Sequence, residues 1–334
     1  MSGGFETISV IGGGAWGTAL AHAAASAGQQ VIIWARDAAT ISAINDTHQN
    51  PKYLPEIPLH EEITATDDLD QAGRADLLIL ATPAQTTAQT AGALRDILAD
   101  GTPVVISAKG MERAGNRLLD VVLADVLPQA VPAVLSGPSF AVDVASGLPT
   151  AVTIGCRDEA IAAAIAQAFA GPSFRPYIST DMIGIQVGGA LKNVLAIAAG
   201  IVVGRRLGAS AQAALIARGF RELSRLGVAL GADRQTLSGL SGLGDLVLSC
   251  SNRQSRNFSF GIALGEGQAL DRLVAPGEKL VEGAHTAGVA VTLAGQYGID
   301  APICAAVADI VEGGVDIDTV ISRLMARPLK HEDI

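Results

Sequence analysis

The sequence predicts an α/β doubly wound sheet domain over residues 1–180, followed by an all-α domain over residues 181–334. Three observations carry this. Short β-branched runs alternate with longer helix-spaced segments through the first half. Those runs are apolar on both faces, as strands of a helix-covered parallel sheet are. After Thr180 the β-branched runs stop and long Ala/Leu/Gly-rich helical patterns take over. With 334 residues and 49% apolar content, the chain can bury a large core, and domains of about 100–200 residues make two the expected number.

The first strand is expected at 7–11 and runs through glycines into a helix at 15–27. Further strands are expected at 30–34, 63–66, 76–81, 103–107 and 131–135, with helical spacing over 84–98 and 117–126. Residues 150–155 and 174–178 continue the same sheet around a helix at 158–170. The helical half is expected to break at 204–208, 231–233, 242–244 and 276–277, where Gly, Pro and Asp interrupt the pattern.

A formal charge of −10 argues against nucleic acid or an anionic membrane as partner, since both need a basic face. An anionic ligand must then be met by a few local cations. The three cysteines, Cys156, Cys250 and Cys304, show no CxxC spacing, and the five histidines form no HExxH pair. No metal site is expected, and a reducing, cytoplasmic compartment is. The start of the chain lacks a basic segment followed by an apolar one. The apolar stretch 194–204, closed by Lys192 and Arg205, falls short of the ~20 residues of a membrane span.

Gly12-Gly13-Gly14-Ala15-Trp16-Gly17 fits GxGxxG at Gly12, Gly14 and Gly17. It lies where a strand meets a helix, so backbone N–H groups and the helix N-terminus can meet a pyrophosphate. A dinucleotide site follows. At the end of the second strand, Arg36 could meet a 2′-phosphate and Asp37 the ribose hydroxyls of NAD, which leaves NADP or NAD open. The loop after strand 103–107 carries Lys109, and the loop after 131–135 reads Ser136-Gly137-Pro138-Ser139, with Ser139 either a ligand donor or a helix N-cap.

In the helical half, Gly188 and Gly189 precede Lys192-Asn193 by one turn and leave room for a ligand or another backbone beside the ammonium group. Burial lowers a lysine pKa toward neutrality, which suits a general acid/base at a carbinol centre. Asp245, in Gly242-Leu243-Gly244-Asp245-Leu246, could pair with Lys192, with Ser249 nearby in sequence. Ser255-Arg256-Asn257 places an arginine fork at a helix start and suits a phosphate.

The segments VIGGGAWGTALA, SAKGMER, LSGPSFA, QVGGALKNVLAIAAGI, ARGFRELSRLG, SGLGDLVLSC, SRN and VEGAHT span nearly the whole chain. Together they resemble the bacterial NAD(P)-dependent glycerol-3-phosphate dehydrogenase family. The resemblance implies a Rossmann-like domain with an α-helical substrate domain, and reversible hydride transfer between NAD(P)H and dihydroxyacetone phosphate. The product, sn-glycerol 3-phosphate, would serve phospholipid synthesis. It also implies a homodimer without a membrane span.

Position by position, the resemblance makes Lys192 the proton donor, held by Asp245, with Lys109 on the substrate side. Gly137, Ser139, Ser255, Arg256 and Asn257 join Lys109, Lys192 and Asp245 as substrate contacts. Ala15, Trp16, Arg36, Lys109, Ala141, Arg256, Leu280 and Glu282 match cofactor contacts. Val203, Ser210 and Gln212 depart from the family pattern and predict altered loop packing or regulation. Two rival readings are a β-hydroxyacid-type dehydrogenase acting on a carboxylate, and a non-catalytic dinucleotide sensor; the Ser255-Arg256-Asn257 and Gly242-Leu243-Gly244-Asp245 segments favour phosphate over the first, although an arginine suits both anions, and the Lys109, Lys192 and Asp245 set disfavours the second.

Overall fold

The computed structural model describes residues 4–275, 281–329 and 331. Its strands are β1 (Thr7–Ile11), β2 (Gln30–Trp34), β3 (Gln49–Asn50), β4 (Leu54–Pro58), β5 (Ile63–Thr66), β6 (Leu77–Leu80), β7 (Pro103–Ile106), β8 (Val131–Ser136), β9 (Thr150–Cys156) and β10 (Phe174–Ser179). Eight form one sheet in the order β10-β9-β8-β7-β6-β1-β2-β5, and β3 and β4 pair as a separate hairpin. Every residue of β6 and β7 is buried. These uninterrupted apolar runs fit the centre of a sheet covered on both faces.

The sheet is parallel from β5 to β8, but β9 runs antiparallel to β8 and β10 runs parallel to β9. The doubly wound, parallel-dominated sheet expected from the sequence is present, with one antiparallel junction between β8 and β9. The connection after β8 contains only a five-residue helix, Ala141–Ala145. It closes with Leu148 donating to the Asp143 carbonyl and Gly147 at φ +68°. The chain therefore turns back at the same end of the sheet, since this short helix and the turn after it return the chain to where β8 ended rather than carrying it across the sheet.

This reversal positions the site. β10 ends at the opposite edge, and helix Met182–Gly204 climbs back beside the sheet. Its start is fixed by Asp181, whose carboxylate accepts the Gly184 N–H at 2.8 Å. Met182 and Ile185 pack in the apolar layer with Val134, and Gly189 abuts the Ser136 hydroxyl at the end of β8. Lys192 lies one turn further on, about 5 Å higher. The helix is long and apolar enough to cross a membrane by length and composition, yet 89% of its most apolar window is buried within the protein. It is the core helix of the second half.

Helix Arg256–Gly265 crosses it through glycine. A Cβ at Gly200 would overlap the Phe258 carbonyl, and one at Gly261 would overlap the Ile197 carbonyl. The two backbones can meet only because these side chains are missing. Helices Ala209–Ala229, Glu282–Gln296 and Pro302–Val311 complete the layer around them.

Other expectations change in detail. The helix expected over 84–98 is a 3₁₀ turn, Ala84–Thr86, and a short helix, Thr87–Gly92, followed by single turns. Threonines and Gly92 hold helix poorly there. The helix expected from 117 begins at Leu119, because Arg117 is bridged to Glu112. The break expected at 242–244 is instead a π-helical turn, Leu240–Gly244, running into helix Asp245–Ser251. The break at 276–277 and the cofactor contact at Leu280 lie outside the described residues.

Candidate active site

The loop after β1 is shaped by what it lacks. Gly12 has φ +129°, and a Cβ there would lie 2.8 Å from the Ala81 carbonyl oxygen; a Cβ at Gly17 would overlap the Gly12 carbonyl. Gly14 caps helix Ala15–Ser26 with no side-chain hydrogen bond, and nothing lies within 4 Å of its Cβ position. The helix start is thus bare, its N–H groups lack a side-chain cap, and it sits at the carboxyl edge of the parallel strands. That cradle fits a pyrophosphate.

Arg36 follows β2 and is exposed. Asp37 is engaged: its Oδ2 accepts from Thr40 Oγ1 at 2.8 Å and from Lys52 Nζ at 3.0 Å. The Lys52 ammonium, foremost, holds its carboxyl below the usual carboxylate range. β2 lies three positions from β7 in the sheet, roughly 14 Å at ordinary strand spacing. Arg36 and Lys109 therefore stand at opposite ends of the cleft.

At the Lys109 end three charges meet. Lys192 Nζ lies 3.0 Å from Asp245 Oδ1 and donates to Ser249 Oγ at 2.7 Å. Lys109 Nζ lies 2.7 Å from Asp245 Oδ2, donates to the Gly137 carbonyl at 2.8 Å, and sits over the Trp16 ring at 5.7 Å. Asp245 is 1% exposed and Lys192 7%. Burial pulls the Lys192 pKa down to about 8; Asp245 opposes the shift and Lys109 adds to it. Burial pushes the Asp245 carboxyl up, but the two lysines outweigh it and leave it below its ordinary value. Two ammonium groups on one carboxylate leave a net positive charge, which suits an oxygen gaining negative charge.

Glycine brings these groups together. A Cβ at Gly188 would strike Ser241 and Gly242, so the helix carrying Lys192 touches the π-turn that aims Asp245. The room beside Lys192 is filled by this backbone and, at Gly189, by Ser136 and Lys109. A side-chain amide chain braces the far side. Asn193 donates to the Lys109 carbonyl at 2.8 Å, Asn257 donates to Asn193 Oδ1 at 2.9 Å, and the Gly283 N–H donates to Asn257 Oδ1 at 2.9 Å.

The remaining expected residues fall around this centre. Ser255 is the N-cap of helix Arg256–Gly265 and accepts the Phe258 N–H; Arg256, its first residue, is exposed. Glu282 is buried, its Oε1 accepts the Ala84 N–H at 3.1 Å, and its Oε2 is buried without a partner. Burial raises its pKa, with the Ala84 N–H and Arg256 opposing. Ala141 opens the short helix after β8. Ser139 is not an N-cap, since Phe140 holds that position; its hydroxyl donates to the Gly137 carbonyl at 3.0 Å, which turns the loop inward. Among the described residues no cluster of three or more His, Cys, Asp or Glu could hold a metal.

Sequence reasoning missed the bracing role of Asn193, which adjoins Lys192, and the contact of Ser249 with the Lys192 ammonium. Adjacency to the lysine was a signal for the first, and the i, i+4 spacing from Asp245 for the second. Nothing local marks the π-turn. Gln212, a departure from the family pattern, donates to the Cys250 carbonyl at 2.8 Å and ties its helix to the one bearing Asp245.

The described geometry is accompanied by similarity along the whole chain. Residues 7–162 match the profile of NAD-dependent glycerol-3-phosphate dehydrogenase N-terminus, and residues 181–322 that of the C-terminus. The chain is 54% identical over 333 residues to glycerol-3-phosphate dehydrogenase [NAD(P)+] of Bradyrhizobium sp. strain ORS 278, covering 100% of both. It is 51% identical to the Parvibaculum lavamentivorans protein of the same name, covering 99% of this chain and 100% of that one. The crystal structure of glycerol-3-phosphate dehydrogenase from Coxiella burnetii superposes with TM-score 0.91 and 35% identity, covering 96% of this chain and 99% of that one. A Rossmann-like sheet, a helical second half and an unbroken match across both place this chain in the NAD(P)-dependent glycerol-3-phosphate dehydrogenase family.

Proposed function

We propose that the chain catalyses the reversible reduction of dihydroxyacetone phosphate to sn-glycerol 3-phosphate with NADPH or NADH. The observation that carries this is the buried Lys109–Asp245–Lys192 cluster at the carboxyl edge of the dinucleotide-fitted sheet. A nicotinamide dinucleotide held by the Gly12–Gly17 loop would supply or accept the hydride. The residues of the chain do the rest. Lys192, charged, hands its proton to the developing alkoxide oxygen and, neutral, takes one from the alcohol in the reverse direction. Asp245 and Ser249 hold its Nζ in place. Lys109 adds positive charge on the same oxygen, and the exposed Arg256 guanidinium, at the start of the helix that Ser255 caps, anchors the phosphate several bonds away.

In the same reading, Gly12, Gly14, Ala15, Trp16, Gly17, Arg36, Ala141 and Glu282 contact the dinucleotide, and Gly137, Ser139, Ser255 and Asn257 line the substrate side. The product suits phospholipid synthesis in the cytoplasm. The three free, buried cysteines fit a reducing compartment. The assembly is a homodimer. The test is the initial rate of NADPH and NADH oxidation with dihydroxyacetone phosphate, for the intact chain and for Lys192→Ala. Rapid oxidation lost in the variant supports the reading; folded, dinucleotide-binding protein without oxidation overturns it.

A further inference from the structure

We infer that Asn50 is a positioning residue for the dinucleotide: it sets the direction of the Gly14 N–H by pinning the Gly13 carbonyl from behind. The inference rests on the proposed role of the Gly12–Gly17 loop. Asn50 belongs to no part of the doubly wound core. It is inserted by the β3–β4 hairpin, an excursion between β2 and β5, and is fully buried.

Its amide carries two hydrogens, and both are used. One meets the Gly13 carbonyl oxygen at 3.0 Å, the other Thr18 Oγ1 at 2.8 Å. Thr18, itself fully buried, lies 3.5 Å from the same carbonyl. The Asn50 side-chain oxygen, Oδ1, is buried without a partner, so the side chain is held by its donors alone. An acceptor at Gly13 requires a donor here, which fixes which way the amide lies.

The peptide plane transmits this. In a trans peptide the C=O of one residue and the N–H of the next point in opposite directions. No cis peptide occurs among the described residues. Drawing the Gly13 oxygen inward to Asn50 therefore turns the Gly14 N–H outward, on the residue whose Cβ side is open. Gly13 is also wedged from the side, its Cβ position being 2.9 Å from Ala35. Without Asn50 the plane can rotate, and a partly buried carbonyl loses its main donor. The bond thus preorganises one anion-facing N–H, at a helix start where such groups count.

The test compares Asn50→Ala and Asn50→Asp with the intact chain, measuring Kd for ADP-ribose by titration and KM for NADPH and for dihydroxyacetone phosphate. Asn50→Asp keeps the shape but presents no amide hydrogen. Loss of one such hydrogen bond predicts about tenfold weaker ADP-ribose binding, with the KM for NADPH rising well beyond that for dihydroxyacetone phosphate. An unchanged Kd, or equal changes in both KM values, overturns the inference. If neither Asn50 variant folds, Thr18→Val carries the test, with a few-fold loss expected for ADP-ribose and none overturning it. An intact chain that fails to bind ADP-ribose removes the reading of the loop, and this inference with it.

Discussion

Lys109 and Lys192 approach the two oxygens of one carboxylate, at 2.7 Å and 3.0 Å, from opposite halves of the chain. Lys109 arrives from the loop after β7 and Lys192 from the long core helix. Asp245 is thereby the joint between the dinucleotide-fitted sheet and the helical half. It also keeps two like charges on one carboxylate, close enough, in the proposed reaction, to act on a single oxygen.

The first prediction concerns proton transfer. Burial lowers the Lys192 pKa from 10.5 to about 8, and reduction needs the charged form. The kcat for dihydroxyacetone phosphate reduction should therefore fall as pH rises through about 8, whereas oxidation of glycerol 3-phosphate should rise over the same interval. Lys192→Ala should lose about 10²–10⁴-fold in kcat and this inflection with it. Rate profiles in both directions check it.

Asp245→Asn keeps the shape and removes the charge. Asp245 raises the Lys192 pKa against burial, so the inflection should move to lower pH in the variant. The buried Lys192 and the partly buried Lys109 would then lack their counter-ion, at a cost of up to about 3–5 kcal/mol. Thermal unfolding beside the pH–rate profile measures both effects; an unmoved inflection contradicts the proposed pairing.

Helix crossing gives a purely structural prediction. A methyl at Gly200 or Gly261 meets carbonyl backbone, which cannot swing aside as a side chain can. Gly200→Ala and Gly261→Ala should each destabilise by about 2–3 kcal/mol or more. Gly298→Ala, where a Cβ meets nothing but φ is +65°, should cost less. Denaturant midpoints rank the three.

Glu222 predicts a pH-dependent stability. Its carboxylate accepts the Ile303 N–H at 2.9 Å and 3.0 Å and the Cys304 N–H at 3.2 Å, fixing the start of helix Pro302–Val311. Burial nonetheless raises its pKa from 4.5 to about 7. Between those values the folded chain holds a proton that the unfolded chain has released, so this group's contribution declines as pH rises and levels off above about 7. Relative to Glu222→Gln, the intact protein should lose melting temperature across that interval. A constant difference would refute the assignment.

A further prediction concerns cofactor choice at Arg36. With Asp37 held by Lys52 and Thr40, Arg36 and Lys52 outnumber the acid, which favours a 2′-phosphate over bare ribose hydroxyls. NADPH should have the lower KM. Arg36→Ala should raise that KM about tenfold or more while changing the KM for NADH little.

Much of this was readable from residue order. The glycine loop, the strands at β1, β2 and β7, and the positions of Lys109, Lys192 and Asp245 follow from periodicity and from glycines at strand ends. The reversal of β9 was not, because Gly137-Pro138 and Gly147 mark turns but strand direction depends on how the whole connection packs. The β3–β4 hairpin escaped for a related reason: two- and five-residue strands with prolines have no period to detect. Asn50 reads as an ordinary loop residue until its partners, 32 and 37 positions away, are known.

The core helix belongs to both halves at once. Met182 and Ile185 complete the apolar layer beneath the sheet, whereas Val187 to Ile201 form the heart of the helical core. The protein is therefore not modular at the point where its sequence changes character. A fragment cut at 180 would uncover part of one apolar face of the sheet, where Met182 and Ile185 pack, and the remainder would carry a helix whose first turns have nothing to rest on. Any shuffling of the two halves with those of other enzymes would have to keep this one helix whole, as a shared beam whose ends were fitted to different neighbours.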